Sequence, residues 1–186
     1  MEKRKIGGEE ERMMAKEEIV NPTKVIKVGK VVINIGVGKS GEPLERAKKV
    51  LELIAEQKPC ERRAKKTIRD FGIHKKEPIA VMVTLRKDKA LRILKKLLTV
   101  KNMKLPSSSF DDYGNVSFGI KEHLDIPGMK YDPSLGIFGM DVSVALVRMG
   151  YRIKERKRMR RKIGKNHRVS KEEAIEFFKS LGVEVT

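Results

Sequence analysis

Two segments in which apolar and polar residues alternate, each followed by a helical apolar pattern, narrow this chain to a sheet covered on one side. In Val31-Val32-Ile33-Asn34-Ile35 the odd positions are all apolar, and Asn34 points the other way. In the segment opened by Pro78, residues Ile79, Val81, Val83 and Leu85 share one face, leaving Met82, Thr84 and Arg86 on the other. Alternation of this kind suits an antiparallel sheet with one packed side, whereas strands buried on both faces read as unbroken apolar runs. After the first segment, Leu44, Ala47, Val50, Leu51, Ile54 and Ala55 recur at helical spacing, with Pro43 in the first turn where its missing N–H costs nothing. After the second, Ala90, Leu91, Ile93, Leu94, Leu97 and Leu98 form an apolar stripe, and Asp88 is the expected cap.

The remaining chain adds weaker elements. Cys60 to Ile68 reads as an exposed strand because bases fill most of its alternate positions. Residues 69–77 lose periodicity around Gly72 and predict a long basic loop with Phe71 at its tip. Residues 115–122 and 140–147 alternate as strands, separated by a loop containing Pro127, Gly128, Pro133 and Gly136. Ser170-x-x-Glu173 forms a capping box before Ala174, Ile175, Phe177, Phe178 and Leu181, and Gly182 ends that helix. The predicted fold is α+β: a mainly antiparallel sheet with helices packed on one face and the other face open. Asn34, Thr84 and Arg86, with Ser117, line that open face. Residues 21–186 are expected to form a single α+β domain. Residues 1–20, with Gly7-Gly8 and the acidic run Glu9 to Glu11, are expected to form a flexible extension.

Charge identifies the kind of partner. Lys and Arg number 43 against 25 Asp and Glu, a formal charge of +18, so the partner is a polyanion. The excess is regional. Residues 148–168 carry eleven bases against Glu155 alone, and residues 58–76 and 86–104 carry eight each against two acids and one. Residues 105–147 reverse the sign, with two bases against six acids. Clustering favours a binding footprint over a uniformly solvated surface. An anionic membrane is the weaker candidate, because residues 148–168 lack a sustained apolar face. No stretch has the length of a spanning helix and the first 20 residues contain no apolar run of a signal peptide, so a cytoplasmic protein is expected.

Catalytic and cofactor motifs fail on their partners. Gly36-x-Gly38-x-x-Gly41 follows a strand and opens a helix, as a dinucleotide fingerprint does. The next strand, however, begins Glu61-Arg62-Arg63-Ala64-Lys65-Lys66, which is no interior strand of a parallel sheet, and Glu42 and Glu45 would repel a pyrophosphate. The turn is read as structural, with backbone N–H groups available to RNA phosphate. A Walker loop would need a glycine where Ile33 stands. Cys60 has no histidine nearby in sequence, Asp111-Asp112 read as turn residues, and His74, His123 and His167 lack zinc-site spacing. No metal, cofactor or catalytic residue is expected.

Six segments occur in an order that carries a family likeness: Val-Val-Ile-Asn-Ile-Gly-Val-Gly (31–38), Gln-Lys-Pro (57–59), Phe-Gly-Ile (71–73), Pro-Ile-Ala-Val-Met-Val-Thr-Leu-Arg (78–86), Gly-Asn-Val-Ser-Phe-Gly-Ile-Lys-Glu (114–122) and Gly-Ile-Phe-Gly-Met-Asp (136–141). From about Asn21 to Thr186 the chain resembles the universal large-subunit ribosomal protein family numbered five, which binds 5S rRNA. His167-Arg168-Val169-Ser170-Lys171-Glu172-Glu173-Ala174 resembles its archaeal and eukaryotic branch. The resemblance implies a sheet face that grips 5S rRNA in the central protuberance, through positions matching Asn34, Gln57, Thr84 and Arg86. Gly36, Gly38, Lys39, Lys58, Arg63 and Lys65 complete the expected RNA-binding set, with Lys39 replacing an acidic or small residue of the family. The loop carrying Phe71, His74, Lys75 and Lys76 is implied to face P-site tRNA. Arg152, Arg156, Arg158, Arg160, Arg161, Lys162, Lys165, His167 and Arg168 form a basic cluster suited to phosphate neutralisation. The implied partners are 5S rRNA, 23S rRNA, P-site tRNA, the neighbouring 5S-binding protein numbered eighteen and a small-subunit head protein reached by an intersubunit bridge.

Overall fold

A computed structural model describes residues 21–186, so the expectation for the N-terminal extension lies outside the described residues. The strands are β1 (Lys27–Gly36), β2 (Cys60–Arg63), β3 (Pro78–Leu85), β4 (Lys104–Leu105), β5 (Asn115–Ile120), β6 (Met140–Val147) and β7 (Glu184–Val185). The helices are α1 (Glu42–Ala55), α2 (Lys87–Val100), the single turn α3 (Arg152–Glu155) and α4 (Lys171–Ser180). Five strands form one sheet in the order β2-β3-β1-β6-β5, and every neighbouring pair is antiparallel. This antiparallel order removes the dinucleotide-binding fold, whose strands must run parallel.

Register explains the core. Val31, Ile33 and Ile35 pair with Leu85, Val83 and Val81 on one side, and Val31 and Ile33 pair with Val144 and Val142 on the other. Val116, Phe118 and Ile120 extend the same columns across β6. All of these side chains are buried. Against them α1 lays its buried stripe Leu44, Ala47, Val50, Leu51, Ile54 and Ala55, and α2 its stripe Ala90, Ile93, Leu94, Leu97 and Leu98. The long α-helices therefore cover one sheet face, as the alternation predicts.

Several boundaries differ from the sequence expectation. β2 ends at Arg63, well before Ile68, because the chain closes a hairpin in which Ile68 pairs with Ile73 around a short 3₁₀ turn at Arg69–Phe71. Asp88 does not cap α2. The N-cap is Arg86, no side chain caps the helix, and Asp88 sits inside the first turn where its charge complements the helix dipole. The parallel pair β4–β7 has no sequence signal, since two-residue strands carry no periodicity. It fastens the C-terminus: Ser107 N–H donates to the Thr186 carbonyl and Thr186 N–H to that of Leu105.

The capping box forms at α4 and has a second task. Glu173 accepts the Ser170 N–H through Oε2 while Oε1 takes Arg148 Nη2 at 2.5 Å. Arg148 lies at the end of β6 with only 7% of its side chain exposed, and its Nη1 donates to the Arg168 carbonyl. Glu173 is 37% exposed, so its loss would leave the more deeply buried member unpaired. Glu173→Ala should therefore destabilise the protein by about 2–3 kcal/mol, less than for a wholly buried pair. Ser170→Ala should cost about 1 kcal/mol, the usual loss of a cap. Urea unfolding of the two variants measures the difference.

His123 closes the long loop between β5 and β6. Its N–H donates to the Phe138 carbonyl and its Nδ1 accepts the Phe138 N–H at 3.3 Å, so a buried ring pins both ends. Burial pushes the imidazole below the usual histidine range, against the pull of the Glu122 charge. A folded-state pKa below the unfolded value means that the unfolded chain binds more protons. The contribution is thus complete above the ordinary histidine pKa of about 6.5 and is lost as pH falls below it. Stability measured by denaturant between neutral and mildly acidic pH should fall on acidification, and His123→Gln should flatten that slope.

Candidate nucleic-acid interface

Among the described residues no long helix covers the sheet face opposite α1 and α2, and that face is predominantly uncharged. Across it the register sets three rows: Arg62, Ala80 and Gly36; Cys60, Met82, Asn34, Asp141 and Gly119; and Thr84, Val32, Ser143 and Ser117. Asn34 and Thr84 lie on this face as the alternation requires, in neighbouring rows of adjacent strands. Ser117 Oγ donates to Ser143 Oγ at 3.3 Å, so the far side of the platform is also built of small hydroxyls. Gln57 belongs to no strand. It stands in the turn before β2, where its Nε2 donates to the Thr84 carbonyl at 3.5 Å. Arg86 follows β3, exposed, beside the same row.

At the Arg86 end of the platform the chain builds a concavity of about 920 Å³. Its floor is Gly29, Lys30, Ala145 and Asn115, and its far wall is the segment from Arg152 to Ile163, folded back toward the sheet. Nine bases line it against one acid, Glu155. Two of the nine are committed: Arg148 to Glu173, and Arg168 through Nε to the Ile163 carbonyl. The other seven, Lys30, Arg86, Arg152, Lys154, Arg160, Arg161 and Lys162, make no side-chain hydrogen bond or ion pair among the described residues.

Local chemistry holds this wall in place. Tyr151 Oη accepts the Val169 N–H at 2.9 Å and donates to the His167 carbonyl, while the His167 ring bonds the Met149 carbonyl. Arg156 forks onto the Met159 carbonyl through Nε and Nη2, and Arg161 N–H donates to the Ile153 carbonyl. The expected basic cluster is therefore divided. Arg152, Arg160, Arg161, Lys162 and Arg168 line the concavity, Arg156 and His167 brace it, and Arg158 and Lys165 are exposed outside it. Arg86 and Lys162, expected to make separate kinds of contact, share one hollow. Lys30, Tyr113, Asn115 and Lys154 are additions to the expected set. Lys30 and Asn115 share the parity of Asn34 and Ser117, and Lys154 belongs to the basic run 148–168, signals the sequence contains; Tyr113 has none.

The other end of the sheet holds a second group. In the glycine turn the Val37 and Gly38 N–H groups both donate to the Ile79 carbonyl, so these two are committed within the protein. Gly38 and Gly41 have positive φ, a backbone conformation that favours glycine. Ser40 Oγ and the His74 N–H both donate to Glu77, holding that carboxyl below the usual carboxylate range, the His74 bond being the larger cause. Glu77 thereby joins the glycine turn to the 64–77 hairpin. Phe71 is 72% exposed at its tip, and Arg63, Lys65, Lys75 and Lys76 are exposed along it. Gly36, Gly38, Lys39, Arg63 and Lys65 thus lie at the end away from Arg86. Gln57 and Lys58 lie at the Arg86 end.

A polar open sheet face with a cationic hollow at one end defines a polyanion-binding protein. The family described as ribosomal protein L5 matches residues 21–74, and the model describing the C-terminus of that ribosomal family matches residues 78–177. The protein named large ribosomal subunit protein uL5 in Pyrobaculum aerophilum is 55% identical over 166 residues, 89% of this chain and 93% of the relative. The protein of the same name in Sulfurisphaera tokodaii is 52% identical over 89% of this chain and 94% of its own length. That of Nitrosopumilus maritimus is 48% identical over 89% and 96%. The chain belongs to the ribosomal protein L5 family, in its archaeal form. It is an RNA-binding structural constituent of the large ribosomal subunit, cytoplasmic with the ribosome, and not an enzyme.

The Glu77 link makes the hairpin's order depend on one side chain. Glu77→Ala should raise hydrogen exchange and protease cleavage within residues 64–77 while the unfolding midpoint of the sheet changes little, because the strand pairing of β2 and β3 is untouched.

Proposed function

We propose that the open sheet face and the cationic hollow together bind 5S rRNA in the central protuberance, with the 64–77 hairpin turned toward P-site tRNA. The observation that carries this reading is the hollow itself. Seven uncommitted bases converge there on the end of a hydrogen-bonding platform that already holds Asn34, Gln57 and Thr84. Charges distributed for solubility would not be held on a braced wall; those preorganised for RNA lose less freedom on binding. The platform supplies directed bonds and the hollow supplies phosphate neutralisation, side by side on one structured RNA. The family likeness supports 5S rRNA as that RNA.

The hairpin stands at the opposite end of the sheet, so it is free to meet a second RNA, and its exposed Phe71, His74, Lys75 and Lys76 supply a ring and charge. The outer face of α2, with exposed Arg92, Lys95 and Lys96, lies on the helix side and is assigned to 23S rRNA. Contacts with the 5S-binding protein numbered eighteen and with the small-subunit head protein complete the proposed placement.

Titration against 5S rRNA and an unrelated duplex at several salt concentrations tests the assignment. Arg86→Ala should cost about 1–3 kcal/mol for 5S rRNA and much less for the duplex. Replacing Arg160, Arg161 and Lys162 together with alanine should weaken both RNAs and lower the salt slope by about two to three ions. Deleting residues 70–76 should leave 5S binding nearly intact and weaken tRNA retention in reassembled subunits. Unchanged 5S affinity in both the Arg86 and the triple variant would move the interface elsewhere.

A further inference from the structure

Glu155 is the anomaly of the hollow. A carboxylate among nine bases would normally be consumed by an ion pair, yet Glu155 has none among the described residues. Its neighbour Arg156 is held away by its fork onto the Met159 carbonyl, at 3.0 Å and 2.8 Å. Glu155 therefore lines the hollow, and its carboxylate has no ion-pair partner among the described residues. It cannot bind phosphate, and the surrounding cations oppose a divalent metal ion. What remains for it is a nucleobase edge that offers hydrogen-bond donors.

A carboxylate accepts two donors at once. Among the four bases only guanine presents two adjacent donors, N1–H and the 2-amino group; adenine and cytosine present one amino group, and uracil's N3–H lies between two repelling carbonyls. In a duplex guanine's pair is already engaged, so the base must be unpaired, as in the loops and bulges where RNA sequence is usually read. The rim supplies a stacking surface. Tyr113 is 62% exposed and lines the hollow, on a turn fixed by Asp111, whose Oδ1 accepts the N–H groups of Tyr113 and Asn115 at 2.9 Å and 2.6 Å. Gly114 has φ +72°, and a Cβ there would lie 2.6 Å from Val169 Cγ1, so the turn is packed and the ring is held out.

We propose that the hollow takes one unpaired guanine of the bound RNA, its Watson–Crick edge on Glu155, its ring against Tyr113 and its phosphates among Arg160, Arg161 and their neighbours. This rests on the RNA-binding reading above and assigns the hollow a base preference. Aromatic stacking tolerates any base, so the preference comes from Glu155 alone.

The test uses the full-length chain and a set of RNA hairpins identical but for one bulged nucleotide, read by fluorescence anisotropy. Wild-type protein should bind the bulged-G hairpin about tenfold more tightly than bulged A or U, the discrimination of one bidentate pair. Bulged inosine, which lacks the 2-amino group, should fall between them. Glu155→Gln should reduce the G preference to about twofold or less, with affinity for the unbulged hairpin retained or raised because a negative charge is lost. Tyr113→Ala should weaken all bulged hairpins alike and Tyr113→Phe should not. A wild-type protein without G preference, a Glu155→Gln variant that keeps it, or a preference abolished by EDTA would overturn the assignment. Where the alanine triple at Arg160, Arg161 and Lys162 still lowers affinity for the unbulged hairpin, only the base preference falls. Where it does not, the RNA reading of the hollow falls too.

Discussion

The register of β1 is the constraint on which both sides of the molecule depend. β1 is hydrogen-bonded to β3 and to β6, and the same residue-by-residue pairing sets which side chains enter the core and which line the platform. Ile33 opposite Val83 and Val142 fixes a buried column, while Asn34, one residue later, stands between Met82 and Asp141 on the open face. A slip of one residue would turn apolar side chains outward and polar ones inward. The helices α1 and α2 stabilise this register by burying their stripes on one side only, which leaves the other side uncovered by them.

Electrostatics shapes the second half of the structure. A segment with eleven bases and one acid repels itself, and such a segment alone would remain extended. Here it is folded by bonds that use arginines against backbone carbonyls: Arg156 on Met159, Arg168 on Ile163, Arg148 on Arg168. The ion pair between Arg148 and Glu173 joins the wall's root to the capping box of α4. Much of the charge left over lines a single hollow, with Arg158 and Lys165 exposed outside it. The acidic region 105–147 contributes Asp111, which is engaged by its own turn, and Asp132, whose carboxyl is held below the usual range chiefly by the Ser134 side chain.

Much of the fold is legible in the sequence. Alternation in β1, β3, β5 and β6 marks the covered face, and the capping box at Ser170 and Glu173 forms where its residue pattern places it. Differences fall where local signals are weak. β2 reads too long because bases at alternate positions look alike in a strand and in a hairpin arm. Asp88 reads as a cap because its residue type favours one, although the chain enters α2 two residues earlier. The glycine turn reads as wholly free to meet phosphate, and only the neighbouring strand's Ile79 carbonyl shows that the Val37 and Gly38 donors are occupied.

The sequence by itself determined the sheet's two faces, the polyanionic partner and the family, because periodicity, net charge and ordered motifs are properties of the chain read locally. It placed Asn34 and Thr84 on one face without coordinates. The tertiary structure alone decided that Lys30, Arg86, Glu155 and Arg160 line the same hollow, and that Gly36 and Lys65 lie at the other end of the sheet. Those positions are far apart in sequence, and no local pattern records how a return strand and a braced loop bring them together. The tertiary structure also decided which charges remain free, since an arginine held by a carbonyl and one facing solvent are the same letter in the sequence.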